Sequence, residues 1–151
     1  MWTIDEMGPV FKAYLEYVEP FYDIYDFDCW CDRAMKNLSA YALAEDRRGY
    51  VLRQSNAIIG FALVNEHLRF RDEGKAVAEF YIQEGYRRKG YGRMLAEHVF
   101  AQAPGNWEVA VSAKNHPALV FWEQVISSHT NGLFLRKNDP SFVGSGFLFT
   151  I

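Results

Sequence analysis

The chain has 151 residues, half of them hydrophobic and 17% aromatic, enough for one domain with one packed core and too apolar for a disordered segment. Its formal net charge of −3 argues against a nucleic-acid partner, so any cationic site has to be local. There is no charged leader followed by an apolar stretch and no apolar run near the roughly 20 residues of a membrane span, so a soluble, cytoplasmic protein without a membrane partner is expected.

In chain order, Thr3 and Glu6 have capping-box spacing and predict a helix whose apolar positions are Met7, Val10, Phe11, Tyr14, Leu15 and Val18. Pro20 closes it. A second helical stretch covers 29–38. Between the two lie Phe21, Tyr22, Tyr25, Phe27 and Trp30, read as core packing or as a wall for a substrate. Cys29 and Cys31 are too close for an unstrained disulfide. No second cysteine pair completes a zinc site, so reduced thiols and no metal are expected. The four histidines, His67, His98, His116 and His129, show no metal spacing either.

Strands follow at 50–53 and 57–65, joined by Ser55-Asn56 as a hairpin. A polar loop over 67–75 leads to an apolar run at 76–82. A helix is predicted over 93–103, stopped by Pro104-Gly105, then a strand at 107–112. A second helix covers 117–126 with proline in its first turn. Two final strands are expected at 133–136 and 147–151. This order predicts a mixed α/β sheet with a βαβ unit at its centre.

The most informative stretch is Gln83-Glu84-Gly85-Tyr86-Arg87-Arg88-Lys89-Gly90-Tyr91-Gly92, between a strand and a helix start. Helix starts carry unpaired N–H groups and the positive end of the macrodipole, and so bind anions. Gly90 and Gly92 allow backbone to come close to a phosphate. Arg87, Arg88, Lys89 and Arg93 add cations in an acidic chain. A Walker loop fails because Tyr91-Gly92 stand where Lys-Ser/Thr would be required. A Rossmann fingerprint fails on the order of its glycines and on Ser112 near the position of its acidic residue.

What remains is Arg-x-x-Gly-x-Gly at Arg87, Gly90 and Gly92. A second segment, Asn115-His116-Pro117-Ala118-Leu119-Val120-Phe121-Trp122, begins 23 residues after Gly92. With these two segments the sequence resembles the GNAT superfamily of acyl-CoA-dependent N-acyltransferases. They match its pyrophosphate loop and its Asn-x-x-Ala-x-x-Phe-Tyr segment. The resemblance covers about 49–151. It is most similar to a small bacterial group with Phe-Trp in place of Phe-Tyr. It implies an α/β fold (α+β mixed): a central mixed, mostly antiparallel sheet flanked by helices, in a single domain over 1–151. The superfamily opens with a strand. Here only Met1-Trp2 precede the expected cap, so that strand is expected to be very short or absent.

The resemblance implies an N-acetyltransferase that takes acetyl-CoA as co-substrate. The acetyl group would pass directly, in a ternary complex, to a primary amine on a small molecule or peptide. Backbone groups of Phe80, Tyr81 and Ile82 would pair with the pantetheine arm. An N–H there would polarise the thioester carbonyl. The backbone N–H groups of Arg88, Lys89, Gly90, Tyr91, Gly92 and Arg93 would hold the pyrophosphate, with the Arg87 cation beside them. Asn115 would hydrogen-bond the pantetheine, and the helix carrying Ala118 and Trp122 would pack along it.

The attacking amine must lose a proton, and two carboxylates in central apolar strands are candidates for the base: Glu79 and Glu108. The alternative for each is a solvated strand end or a structural ion pair. Alternation cannot fix the face either occupies, because one bulge reverses it. Trp122 stands where the family's tyrosine acid is usual. Tyr81, Tyr91 or water would have to protonate the thiolate, or it leaves unaided, as a thiol pKa of about 8.5 allows. The same substitution supports an alternative reading, a catalytically silent acyl-CoA-binding module. The acceptor is set by the 67–75 loop, the aromatic N-terminal segment and the final strands, none of which names it. A monomer and a homodimer fit equally.

Overall fold

The computed structural model describes residues 1–6, 45–55, 57–139 and 142–151. The helices expected over 7–18 and 29–38, with their aromatic residues and both cysteines, lie outside the described residues. The strands are β1 (Trp2–Glu6), β2 (Arg47–Gln54), β3 (Ala57–Asn65), β4 (Lys75–Ile82), β5 (Asn106–Ser112), β6 (Phe134–Asp139) and β7 (Phe142–Thr150). The described helices are α1 (Tyr91–Ala101) and α2 (His116–Thr130). The strands form one sheet in the order β1-β2-β3-β4-β5-β7-β6. Every neighbouring pair is antiparallel except β4 and β5. These two are joined through α1, as a parallel pair requires. This is the mixed sheet that the pattern predicts, and the mostly antiparallel one that the resemblance implies.

The N-terminus departs from expectation. Thr3 and Glu6 cap no helix. They lie in β1, which pairs with β2 from Trp2↔Gln54 to Glu6↔Tyr50. The first strand is therefore present, five residues long. Alternation of Trp2 and Ile4 with Thr3 and Asp5 suits an edge strand. Arg48 and Arg53 of β2 meet Glu6 and Asp5 at 3.1 and 3.7 Å. A capping box is a local signal, and here pairing to a preformed strand overrides it. At the other end, β7 begins at Phe142 rather than at 147. Gly144, Ser145 and Gly146 carry little strand propensity, but they are held between β5 and β6.

Both helices pack on one face of the sheet. The core there joins Leu52, Ala62, Val77, Ile82, Leu95, Val99, Phe100, Trp107, Val109, Trp122, Ile126, Phe147 and Phe149. Phe100 sits at its centre, with ring centroids of Phe149 at 5.0 Å, Trp107 at 5.2 Å and Trp122 at 6.2 Å. Trp107 Nε1 donates to the Ala103 carbonyl at 2.9 Å, so its one polar group is satisfied. Val51, Phe61, Leu63 and Leu148 are buried on the opposite face.

The loop from β3 to β4 folds over that opposite face and is fastened by Glu108. The residue is 3% exposed. Its Oε2 accepts the backbone N–H groups of Arg69 and Phe70 at 2.9 and 3.2 Å. Its Oε1 faces Arg71 Nε at 3.4 Å. Arg71 Nη2 donates onward to the carbonyls of Trp107 and Phe149. A buried carboxylate engaged by this many donors cannot be removed without stranding an arginine and two amides. Glu108→Ala is therefore expected to destabilise the protein by about 3 kcal/mol, read from urea denaturation. A shift under about 1 kcal/mol would show the clamp to be incidental.

Candidate active site

β4 and β5 share only three partners: Lys75↔Trp107, Ala76↔Glu108 and Val77↔Val109. Beyond them the strands part. β4 stays with β3 as far as Ile82, and β5 stays with β7 as far as Ser112. The parting coincides with a bulge: Leu63 pairs with Glu79 but Val64 with Val77, leaving Ala78 as the extra residue. A bulge bends its strand and increases the local twist. The sheet therefore forks at its centre.

The bulge also resolves the face of each side chain. Phe80 and Ile82 lie opposite Ala62 and Gly60, on the helix side. Glu79 and Tyr81 lie opposite Leu63 and Phe61, on the other side. Gln83 N–H bonds to the Ile59 carbonyl at 2.8 Å, which sets the alternation of the β4 backbone. Tyr81 turns its N–H and C=O to β3, whereas Phe80 and Ile82 turn theirs into the fork. Of the three residues expected to line a pantetheine arm by backbone, two are so directed. The Ile82 carbonyl is already taken by Arg87 Nε at 2.7 Å.

After β4 a 3-10 turn, Glu84–Tyr86, leads into α1. Arg88 and Gly90 both have left-handed backbone, with φ of 61° and 87°. For a non-glycine residue this costs roughly 1–2 kcal/mol, and such strain gathers at ligand clamps. Gly90 is the N-cap of α1 and gives no side-chain bond to it. Among the described residues, the amides of 88–93 have no backbone acceptor. A turn of unpaired amides at the positive end of a helix is an anion cradle.

The two glycines serve different ends. A Cβ on Gly90 would meet nothing within 4 Å, so its backbone angle is what demands glycine. A Cβ on Gly92 would sit 3.0 Å from the Phe121 ring, so Gly92 lets α1 close on α2. The cations also divide. Arg87 lies over the Tyr81 ring at 5.4 Å, and burial lowers its pKa. Arg93 bonds Glu97 at 2.8 Å and Ser128 at 2.7 Å, fastening α1 to α2. Lys89 lies over Tyr86 at 5.9 Å.

Asn115 is the N-cap of α2, its Oδ1 accepting from Ala118 N–H at 3.2 Å. That leaves its Nδ2 as the donor it can offer to a ligand. Trp122 is 5% exposed, packed against Phe80 at 4.8 Å and Phe121 at 5.0 Å. Tyr91 receives a hydrogen bond on its hydroxyl from Gln54 Nε2 at 3.1 Å.

The two candidate carboxylates share a face but not an environment. Glu108 lies on the closed side of the fork and is committed to the loop clamp. Glu79 lies on the open side, 9% exposed. Burial, the only cause acting on it, raises its pKa well above the ordinary value. No hydrogen bond or ion pair holds its carboxyl among the described residues. Sequence reasoning missed Arg69, Phe70 and Arg71, which engage Glu108. Their one signal was Arg-Phe-Arg in an otherwise polar loop.

The sequence profile described as Acetyltransferase (GNAT) family matches residues 10–126. No curated protein matches the chain in sequence. Among solved structures, an acetyltransferase from Thermus thermophilus aligns with a TM-score of 0.71 at 16% identity, over 100% of this chain and 97% of its own. NAA60 of Arabidopsis thaliana in complex with acetyl-CoA gives 0.71 at 15%, over 100% and 99%. The ribosomal-protein-S18-alanine N-acetyltransferase from Escherichia coli gives 0.66 at 16%, over 98% and 91%. Such identities speak for the fold, and the profile for the lineage: the chain belongs to the acetyltransferase (GNAT) family.

Proposed function

We propose that the protein transfers an acetyl group from acetyl-CoA to a primary amine by direct attack in a ternary complex. The observation that carries this reading is the fork between β4 and β5 with an uncapped helix start beyond it. Family membership and the acetyl-CoA complex of the Arabidopsis neighbour support the choice of donor.

In this reading the amides of 88–93 grip the pyrophosphate, with Arg88 and Lys89 beside them. The Phe80 and Ile82 backbone and Asn115 Nδ2 align the pantetheine arm along the fork. Bound acetyl-CoA supplies an activated acyl carbon. The amine approaches from the face opposite the helices, where Glu79 lies. Desolvation makes the Glu79 carboxylate a stronger base than one in water, suited to take a proton from the bound ammonium so that the free amine can attack the acyl carbon. The departing sulfur meets no side-chain acid at Trp122 and leaves as thiolate or is protonated by water.

The test is free thiol release from acetyl-CoA with a panel of primary amines, beside calorimetry for CoA. Binding without release would favour a silent acyl-CoA-binding module. Gly90→Val, which forces a β-branched residue into left-handed backbone, is expected to weaken CoA binding at least about tenfold while the circular dichroism spectrum stays native. Normal affinity would sink the loop assignment.

Glu79→Gln is expected to keep CoA binding and lose at least about 100-fold in kcat. The wild-type rate rises with pH as Glu79 ionises, on a limb displaced upward from ordinary carboxylates. The variant has no such limb. Stability moves the opposite way. An acid whose pKa is higher folded than unfolded stabilises the fold fully below the unfolded pKa. That contribution is lost as pH rises through the folded pKa. The Tm advantage of Glu79→Gln over wild type is therefore expected to grow from pH 4 to pH 8. A constant difference would place Glu79 in contact with water.

A further inference from the structure

We infer that Phe70 sets the size limit of the acceptor amine on the β7 side of the fork. This rests on the acyl-transfer reading and concerns its acceptor half alone. The Phe70 ring fills the place where residue 146 has no side chain. A Cβ built on Gly146 would lie 2.1 Å from Phe70 Cε2 and 2.6 Å from Cζ. Gly146 pairs with Ala110, the first β5 residue past the last β4–β5 partner, Val109. Ala110 and Gly146 lie on the face that carries Glu79. With strands about 4.8 Å apart, the ring stands roughly two strand spacings from β4, across the mouth of the fork.

Phe70 is only half-buried and belongs to a loop, yet that loop is not left to find its own position. Glu108 holds the Phe70 amide itself at 3.2 Å and the neighbouring Arg69 amide at 2.9 Å. Arg71 ties the next residue to β5 and β7. At the loop's far end a Cβ on Gly74 would lie 2.5 Å from the Asn106 carbonyl, so the chain is drawn tight there too. A buried carboxylate is a costly fastening for a loop. It holds the Phe70 ring over Gly146, on the face from which the amine approaches. Among the described residues, Ala110 and Gly146 are too small to bound the acceptor there, and the ring is the bulky group next to them. Glu79 acts on the proton, while Phe70 acts on the shape of what carries it.

The experiment uses the full chain and calorimetry with three probes. One is CoA. The other two are CoA conjugates whose sulfur carries methylamine or tryptamine through an acetyl linker. Phe70→Ala is expected to raise the affinity of the tryptamine conjugate relative to the methylamine conjugate about tenfold, with CoA affinity unchanged. Phe70→Leu, which keeps more of the loop packing, moves the ratio in the same sense by less. Gly146→Ala drives the ring off β7 toward the fork and moves the ratio the other way. A ratio that stays fixed in these variants while CoA binds normally overturns the inference and leaves acyl transfer standing. Wild-type protein that does not bind CoA overturns both.

Discussion

The structure depends on one interrupted ladder. β4 and β5 exchange backbone bonds for three residue pairs and then stop, although each strand continues. Had they stayed zipped, Phe80 and Ile82 would turn their fork-side amides and carbonyls to β5, and nothing could enter the sheet. Two features hold the strands apart. Ala78 adds a residue to β4 and bends it, and each strand keeps an antiparallel partner on its far side. The two arms, β1 to β4 and β5-β7-β6, thus each keep their own antiparallel ladder past the fork. The helices close the fork from one face. The base of the fork is sealed by Trp107, whose indole bonds to the end of the α1 turn.

The same sheet face shows what environment does to a carboxylate. Glu79 and Glu108 sit in adjacent strands, both buried. Glu108 is surrounded by donors: the backbone amides of Arg69 and Phe70 and the Arg71 guanidinium. Glu79 has lost its water and, among the described residues, gained no partner in exchange, and its pKa rises. Desolvation without compensation is unfavourable to folding and useful to proton transfer. The bulge links both facts. It turns Glu79 out of the helix-side core, and it opens the gap that Glu79 overlooks.

Much of this was legible in the sequence. The hairpin, the strand–helix–strand order and the glycine-rich loop follow from period, turn residues and local charge. β3 has the bounds its apolar run predicts, 57–65. What was not legible depends on distant partners. The strand at Trp2–Glu6 is polar at every second position and short; only β2 makes it a strand. The face of Glu79 turns on a single extra residue, which alternation cannot locate. Glu108 looked like Glu79 because both are acids in apolar runs. The difference lies in Arg69, Phe70 and Arg71, nearly forty positions earlier in the chain. Gly146 lies just outside the strand expected at 147–151, and what needs a glycine there is the ring that Phe70 lays upon it.

The cationic segment shows the same gap between composition and structure. From the sequence the segment reads as a helix start with two glycines, its amides aided by four cations. Two of the four are hydrogen-bonded within the protein, Arg87 to a carbonyl and Arg93 to α2, and Lys89 lies over the Tyr86 ring. Arg87 is the more telling, because its bond to Ile82 fixes where β4 ends and the loop begins. The amides of 88–93 are left to form the cradle, shaped by left-handed backbone at Arg88 and Gly90. Amides fixed in direction select an anion by geometry, whereas flexible side chains would select it by charge alone. That distinction suits an acidic protein. The proposed pyrophosphate site needs no general attraction for polyanions, and in that reading the conformation of one glycine matters more than the number of arginines.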